Sequence, residues 1–223
     1  MSGSTGSAQK KRLRNAPLVW GSSVLAAGVL VLGVNGTLST WTQAIITNGS
    51  NTAGATTAVA LSETNGSIVC DTSTATDGSN SVANCNIDKY GGNLAMSPNQ
   101  SKTVDVTFEN TGNGNAASLK LAPGTCTDSA AAAGVSAGTL CGDGNLTVAM
   151  SCSDGATYTP ASAYTDLAWS AKAPNDQTAV TRTATIAPGA KITCQFTTTL
   201  VSTAPTTVAS MSISQPLTWT LAS

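Results

Sequence analysis

Short runs in which apolar and polar side chains alternate are the feature that most constrains how this chain folds. A two-residue period is typical of a β-strand that has one face on a core and the other in water. Five such runs occur between residues 103 and 221, and they predict an all-β protein. Their apolar members are Val104, Val106 and Phe108; Ala117, Leu119 and Leu121; Leu146, Val148, Met150 and Cys152; Ile192, Cys194 and Phe196; and Leu217, Trp219 and Leu221.

Turn-forming residues separate these runs, at positions 97–99, 110–114, 142–144 and 188–189. Proline, glycine and asparagine at such intervals connect short antiparallel strands. The pattern therefore predicts an antiparallel β-sandwich or barrel. The threonines at 197–199 are interpreted as outward-facing, because threonine suits the solvent side of a strand.

Residues 1–39 have the layout of a secretory signal peptide, which is removed from the mature protein. Four basic residues precede a 17-residue apolar run, Leu18–Val34, and the small and polar residues 35–39 follow it. An uncleaved membrane anchor is the alternative, but this run is interrupted by serines and glycines and is shorter than the ~20 apolar residues of a usual spanning helix. We expect an exported protein that contacts the membrane only through the signal segment of its precursor.

Composition excludes several classes of function. Cleavage after residue 39 would leave a single domain, 40–223, in which six basic residues stand against eleven acidic ones, a formal charge of −5. That balance attracts neither nucleic acid nor an anionic membrane surface. The chain has no histidine, which removes Ser-His-Asp and Cys-His catalysis. We predict no enzyme, no cofactor and no metal site; the loop aspartates, such as Asp143, lack the D-x-D-x-D-G pattern of a calcium loop.

The cysteines all follow the signal segment. An even number of cysteines in an exported chain predicts disulfides. The first two and the next two share a separation of 15 residues, so nearest-neighbour pairing joins 70 to 85, 126 to 141 and 152 to 194. The last pair would lie inside the core, since both members occupy inward strand positions; a metal cluster is the alternative, but the chain has no C-x-x-C. The six residues are Cys70, Cys85, Cys126, Cys141, Cys152 and Cys194.

Two segments share their order of turns and strands with a known family of secreted proteins. Residues 96–121 contain a turn at Pro98, a strand, an Asn-Thr-Gly corner and a second strand. Residues 187–221 repeat the theme with Ala-Pro-Gly, the strand KITCQFTTTL and the closing strand PLTWTLA. With the Gly-Thr-x-x-x-Trp-Thr sequence at 36–42, the chain resembles the TasA/camelysin-like family in its actinobacterial form, whose signal peptides are processed by the SipW kind of signal peptidase.

The resemblance implies a jelly-roll sandwich that is secreted and assembles into extracellular fibres of the biofilm matrix. Cleavage would fall between Ser39 and Thr40, and segment 40–47 would act as a donor strand that enters the sheet of a neighbouring copy. Its anchors would be Trp41, Ile45 and Ile46. The implied partners are other copies of this chain, in a head-to-tail polymer, and the signal peptidase during export. A zinc-protease activity, for which camelysin was named, has no HExxH motif to support it here.

The donor-strand role also has a physical argument. Segment 40–47 contains β-branched and aromatic residues without glycine, proline or charge, and a polar linker follows it. Such a strand can add to the edge of a neighbour's sheet, and a head-to-tail exchange that does not close propagates as a fibre. The alternative is an ordinary first strand of the chain's own sheet. In that case the function would be that of a monomeric secreted binding module or adhesin.

Overall fold

The computed structural model describes residues 59–75, 80–92, 96–129 and 139–223, together with the backbone of residues 43–47. Regular structure in these residues consists of strands and of four single-turn 3₁₀ helices, Thr72–Thr74, Pro160–Ser162, Pro174–Asp176 and Thr206–Val208. The strands are β1 (Gln43–Thr47), β2 (Leu61–Asn65), β3 (Ile68–Asp71), β4 (Ser81–Val82), β5 (Gln100–Asn110), β6 (Ala116–Pro123), β7 (Thr127–Asp128), β8 (Leu146–Asp154), β9 (Ala168–Lys172), β10 (Val180–Ile186), β11 (Lys191–Leu200), β12 (Ile213–Ser214) and β13 (Leu217–Ala222).

The strands form two large sheets and one small one. The five-stranded sheet has the order β10-β6-β13-β1-β4, the six-stranded sheet has the order β3-β2-β5-β11-β8-β9, and β7 pairs with β12. Among the described strands every pairing is antiparallel except that of β1 with β4. The prediction of an antiparallel all-β chain is confirmed at this level. No helix in the described ranges is long and apolar enough to cross a membrane.

An apolar core joins the two large sheets. Trp219 of β13 lies against Phe108 of β5, with 4.0 Å between the ring centroids, and meets Phe196 of β11 edge-on at 6.5 Å. All three side chains are buried. Aromatic pairs of this kind add ~0.5–1.5 kcal/mol to the stabilisation from burial alone. The contacts therefore hold β13 against the middle of the six-stranded sheet.

The apolar members of the alternating rows are buried or partly buried except at one position. Ala117 is exposed, whereas its neighbour Ala116 is buried. The start of β6 lies beside a shift of register in β10, between Thr183 and Ile186. Two residues of β10 stand here against the single residue Ala117 of β6, and the alternation of β6 breaks at this point. The prediction that Ala117 faces the core is therefore wrong.

The turn between β10 and β11 has the conformation that its proline and glycine favour. Pro188 supplies the fixed φ of the second turn position, and Gly189 adopts a φ of +76° at the third. The Ala190 N–H donates to the carbonyl oxygen of Ala187 at 3.0 Å and closes the turn. Because a side chain is strained at such a φ, glycine belongs at this point.

Three disulfides join the cysteines in nearest-neighbour pairs, 70 to 85, 126 to 141 and 152 to 194. Cys152 and Cys194 lie directly opposite each other on β8 and β11, with 4.0 Å between their Cα atoms. Both are fully buried. This bridge therefore crosses between two adjacent strands on the core side of the six-stranded sheet.

A buried ion pair fixes the segment that follows β4. The carboxylate of Glu63 on β2 contacts the ammonium of Lys89, and both side chains are almost completely buried. Lys89 Nζ also donates to the carbonyl oxygen of Ile87 at 3.2 Å. Burial raises the pKa of the Glu63 carboxyl, and the neighbouring ammonium opposes that shift. Two charges are thus held in the interior by each other.

Residues 85–90, which we call the clamped segment, are held at three points. Cys85 is bonded to Cys70 of β3, and Lys89 contacts Glu63. The hydroxyl of Tyr90 donates to Gln215 Oε1 at 2.6 Å. These links tie the segment to the six-stranded sheet on one side and to the chain just before β13 on the other.

Candidate subunit interface

Strand β1 occupies a slot between β13 and β4. Along β13 it pairs over its whole length, from Gln43 opposite Ala222 to Thr47 opposite Thr218. The other long edge of β13 is covered by β6. If β1 left the slot, a row of backbone N–H and C=O groups on β13 would lose its partners. Such an open edge is a template for another strand. Without β1, the slot would therefore be a site where β13 can accept a strand.

Within the described chain, the opposite edge of β1 is paired at two residues only. β4 contains only Ser81 and Val82, which lie parallel to Ile45 and Ile46. A two-residue parallel pairing supplies few hydrogen bonds, and parallel pairs are slightly weaker per residue than antiparallel ones. β1 is thus bound mainly by a single neighbour, β13.

The end of β1 and the start of β2 lie at opposite ends of the five-stranded sheet. β1 begins at the end marked by Ala222 and finishes at the end marked by Leu217. β2 begins at Leu61, opposite Asn110, whose side-chain amide donates to the Ile186 carbonyl oxygen at 2.9 Å. Ile186 pairs with the start of β6, beside the Ala222 end. The chain therefore leaves β1 at the Leu217 end and enters β2 at the Ala222 end.

Two of the predicted interface residues, Ile45 and Ile46, lie in the described part of the chain. Ile45 lies in β1 opposite Thr220, and Ile46 lies opposite Trp219. Trp41 and the expected cleavage position, Ser39 and Thr40, fall outside the described residues, as does the linker 48–58.

A cavity of about 870 Å³ opens at the Leu217 end, beside the point where β1 finishes. The clamped segment forms one wall, and residues 204–217 form another. A second group of apolar residues, separate from the main core, lies here: Leu140, Leu146 and Val208 are buried, and Leu200 and Met211 pack against them. Alternation within single strands gave no sign of this cavity, because most of its lining comes from the chain between strands.

Thr198 of β11 lies in the wall of this cavity and corrects the interpretation of the threonine run. It is 2% exposed, and its hydroxyl finds no hydrogen-bond partner among the described residues. The two-residue period that starts at Ile192 continues through Cys194 and Phe196 to Thr198, so this threonine faces inward. The expectation that all three threonines face solvent is wrong at this position, and the spacing would have revealed it.

Comparison with models of known protein families gives no match, and comparison with curated proteins gives none either. Within the described ranges there is also no group of three or more acidic, cysteine or histidine side chains that could hold a metal ion. The slot and the cavity are therefore the features of the described structure that bear on function.

Tyr90 makes the stability of this region sensitive to alkaline pH. Burial, with a smaller contribution from the carboxylate of Asp88, raises the pKa of the Tyr90 hydroxyl well above its ordinary value of 10.0. The unfolded chain loses this proton near pH 10 while the folded chain keeps it, so the stabilisation is complete below pH 10 and is lost as pH rises further. We expect urea unfolding to show a loss of about 1 kcal/mol between pH 9 and pH 11 from this residue. Tyr90→Phe should flatten that dependence; an unchanged slope would contradict the assignment.

Proposed function

We propose that this chain is the structural subunit of an extracellular filament, in which each copy donates β1 to the slot of the next. In this proposal the two sheets form a jelly-roll-like sandwich, and the subunit is exported through cleavage of segment 1–39. The supporting observation is the position of β1, an N-terminal strand bound mainly by one neighbour and joined to the rest of the chain by residues 48–58. Strand addition of this kind gains affinity from main-chain hydrogen bonds.

The direction of β1 determines the kind of polymer that would form. A donated β1 would leave the acceptor at the Leu217 end, and the donor's own β2 begins at its Ala222 end. Unlike ends of two copies would therefore face each other. Such a heterologous contact does not close on itself after one step, and it continues as a chain of subunits.

The linker sets how close successive subunits must be. Residues 48–58 number eleven, and a fully extended chain spans at most ~3.3–3.6 Å per residue, or about 36–40 Å in all. A domain of this size has a radius of gyration of about 16 Å. The linker can therefore reach from the Leu217 end of one subunit to an adjacent subunit, and not to a more distant one.

Paired cysteines in β1 and β13 would distinguish exchange from self-pairing. Residues directly opposite each other on antiparallel strands have Cβ atoms ~4.5–5.5 Å apart, close enough for a disulfide. We expect residues 40–223 carrying Ile45→Cys and Thr220→Cys, secreted under oxidising conditions, to give a ladder of covalent oligomers on a non-reducing gel. Negative-stain microscopy of the same sample should show filaments.

The controls use the same chain. Thr220→Cys alone has no partner in β1 and should give no ladder, and removal of residues 40–47 should abolish filaments. A double variant that is oxidised yet entirely monomeric would show that β1 stays in its own sheet, which would overturn the proposal. Filaments from the version without residues 40–47 would place the subunit contacts elsewhere.

The second candidate function is a monomeric secreted binding module. The cavity at the Leu217 end favours it, because its volume lies within the ~300–1,000 Å³ that is typical of small-molecule sites. Folded monomers at all concentrations, with or without residues 40–47, would support this candidate over the filament.

A further inference from the structure

We propose that the cavity at the Leu217 end binds an uncharged amphiphile, a molecule with an apolar body and an uncharged polar headgroup. This inference gives a ligand class to the second candidate function. It does not depend on strand exchange, so either proposal can fail without the other. Three properties of the cavity support it: its size, the chemistry of its walls and the distribution of charge around it.

Size and wall chemistry favour an apolar body. About 870 Å³ is within the range of sites for small organic molecules. Leu146 and Val208 are buried in the wall, and Leu200 packs beside them. Met96 and Met211 also line the space, and methionine side chains adapt to irregular apolar shapes. A flexible alkyl or aromatic group would meet favourable contacts here.

The charges around the cavity disfavour an anionic headgroup. Among the described lining residues, Asp88 and Lys89 are the charged ones. The Lys89 ammonium contacts Glu63 in the interior, and Asp88 is exposed and negative. A carboxylate or phosphate would therefore enter without a positive partner and beside a negative one, which is costly in a partly apolar site. An uncharged headgroup avoids that cost.

Uncharged polar side chains in the same wall suit such a headgroup. Asn86, Thr206 and Ser210 line the cavity and are exposed. A ligand hydroxyl would meet polar groups without charge here, and an alkane of the same length would leave them to water.

The test uses residues 40–223 with all disulfides formed and a fluorescent reporter, N-phenyl-1-naphthylamine, which is apolar and uncharged at neutral pH. We expect its emission to rise on binding. We expect 1-decanol to displace it at a concentration at least tenfold below that required for decanoate, a ligand of equal chain length that differs in charge. No saturable binding, or equal displacement by the two ligands, would overturn the inference.

One substitution and its matched control locate the site. Met211→Trp should fill part of the space and weaken reporter and decanol binding about tenfold, with thermal unfolding to verify the fold. The matched control is Thr197→Trp, on the less buried side of β11, which should change neither affinity. Reporter and decanol affinities that are the same in the two variants would place binding outside the cavity and overturn the inference.

Discussion

Replacing Lys89 by methionine is expected to lower the free energy of unfolding by about 3–5 kcal/mol, because the carboxylate of Glu63 would be left in the interior without its partner. Both side chains are almost completely buried. Methionine preserves much of the apolar stem of lysine, so loss of packing contributes little to the difference. Denaturant unfolding with the disulfides intact would measure the change.

The double variant Glu63→Leu/Lys89→Met separates the charge from the packing. A buried ion pair replaced by apolar residues of similar volume is often as stable as the original, so the double variant should recover most of the loss. The deficit of Lys89→Met alone should also shrink as pH falls toward 4.5. The raised pKa of the buried Glu63 carboxyl lets the folded state take up a proton there before the unfolded state does. Equal unfolding midpoints for the single and double variants would contradict this account.

Removing the bridge between β8 and β11 is expected to produce the second large effect. In the chain-entropy description, a disulfide closing a loop of this length stabilises by about 4 kcal/mol, against about 3 kcal/mol for a shorter loop. Cys152 and Cys194 are 42 residues apart, whereas Cys70 and Cys85 are 15 apart. We therefore expect Cys152→Ala/Cys194→Ala to lose more stability than Cys70→Ala/Cys85→Ala. Cys152 and Cys194 are also the more completely buried pair, so their replacement by alanine leaves small voids in the core. The opposite order of the two midpoints would contradict the expectation.

The sequence determines which side chains of a strand are buried more clearly than which strands are neighbours. Alternation identified Phe108 and Trp219 as inward-facing, and these rings meet across the sheets. It failed at Ala117, beside a shift of register that depends on the partner strand. Cysteine spacing likewise gave pairs that the structure contains, and the pair whose members are 42 residues apart is brought together by the register of β8 with β11.

Features that depend on distant parts of the chain were not predictable in this way. The Glu63–Lys89 pair joins β2 to the clamped segment, and nothing local to either residue identifies the other. The position of β1 between β13 and β4 likewise brings together the first and last strands of the described chain. Alternation concerns single strands, so it carries no information on strand order. The slot and the cavity therefore emerge only from the assembled sheets.

The pairing of β1 with its own β13 has a consequence for when filaments would form. A strand that moves from one slot to an identical slot in another copy loses and gains the same hydrogen bonds, so strand affinity alone favours neither state. The tethered strand competes at an effective concentration that is typically on the order of millimolar when the tether is short. In subunits more dilute than that, β1 would remain in the slot of its own copy unless contacts between the ends of subunits favour the polymer. Filament growth would then be controlled by local crowding at the site of secretion and by the rate at which β1 first docks.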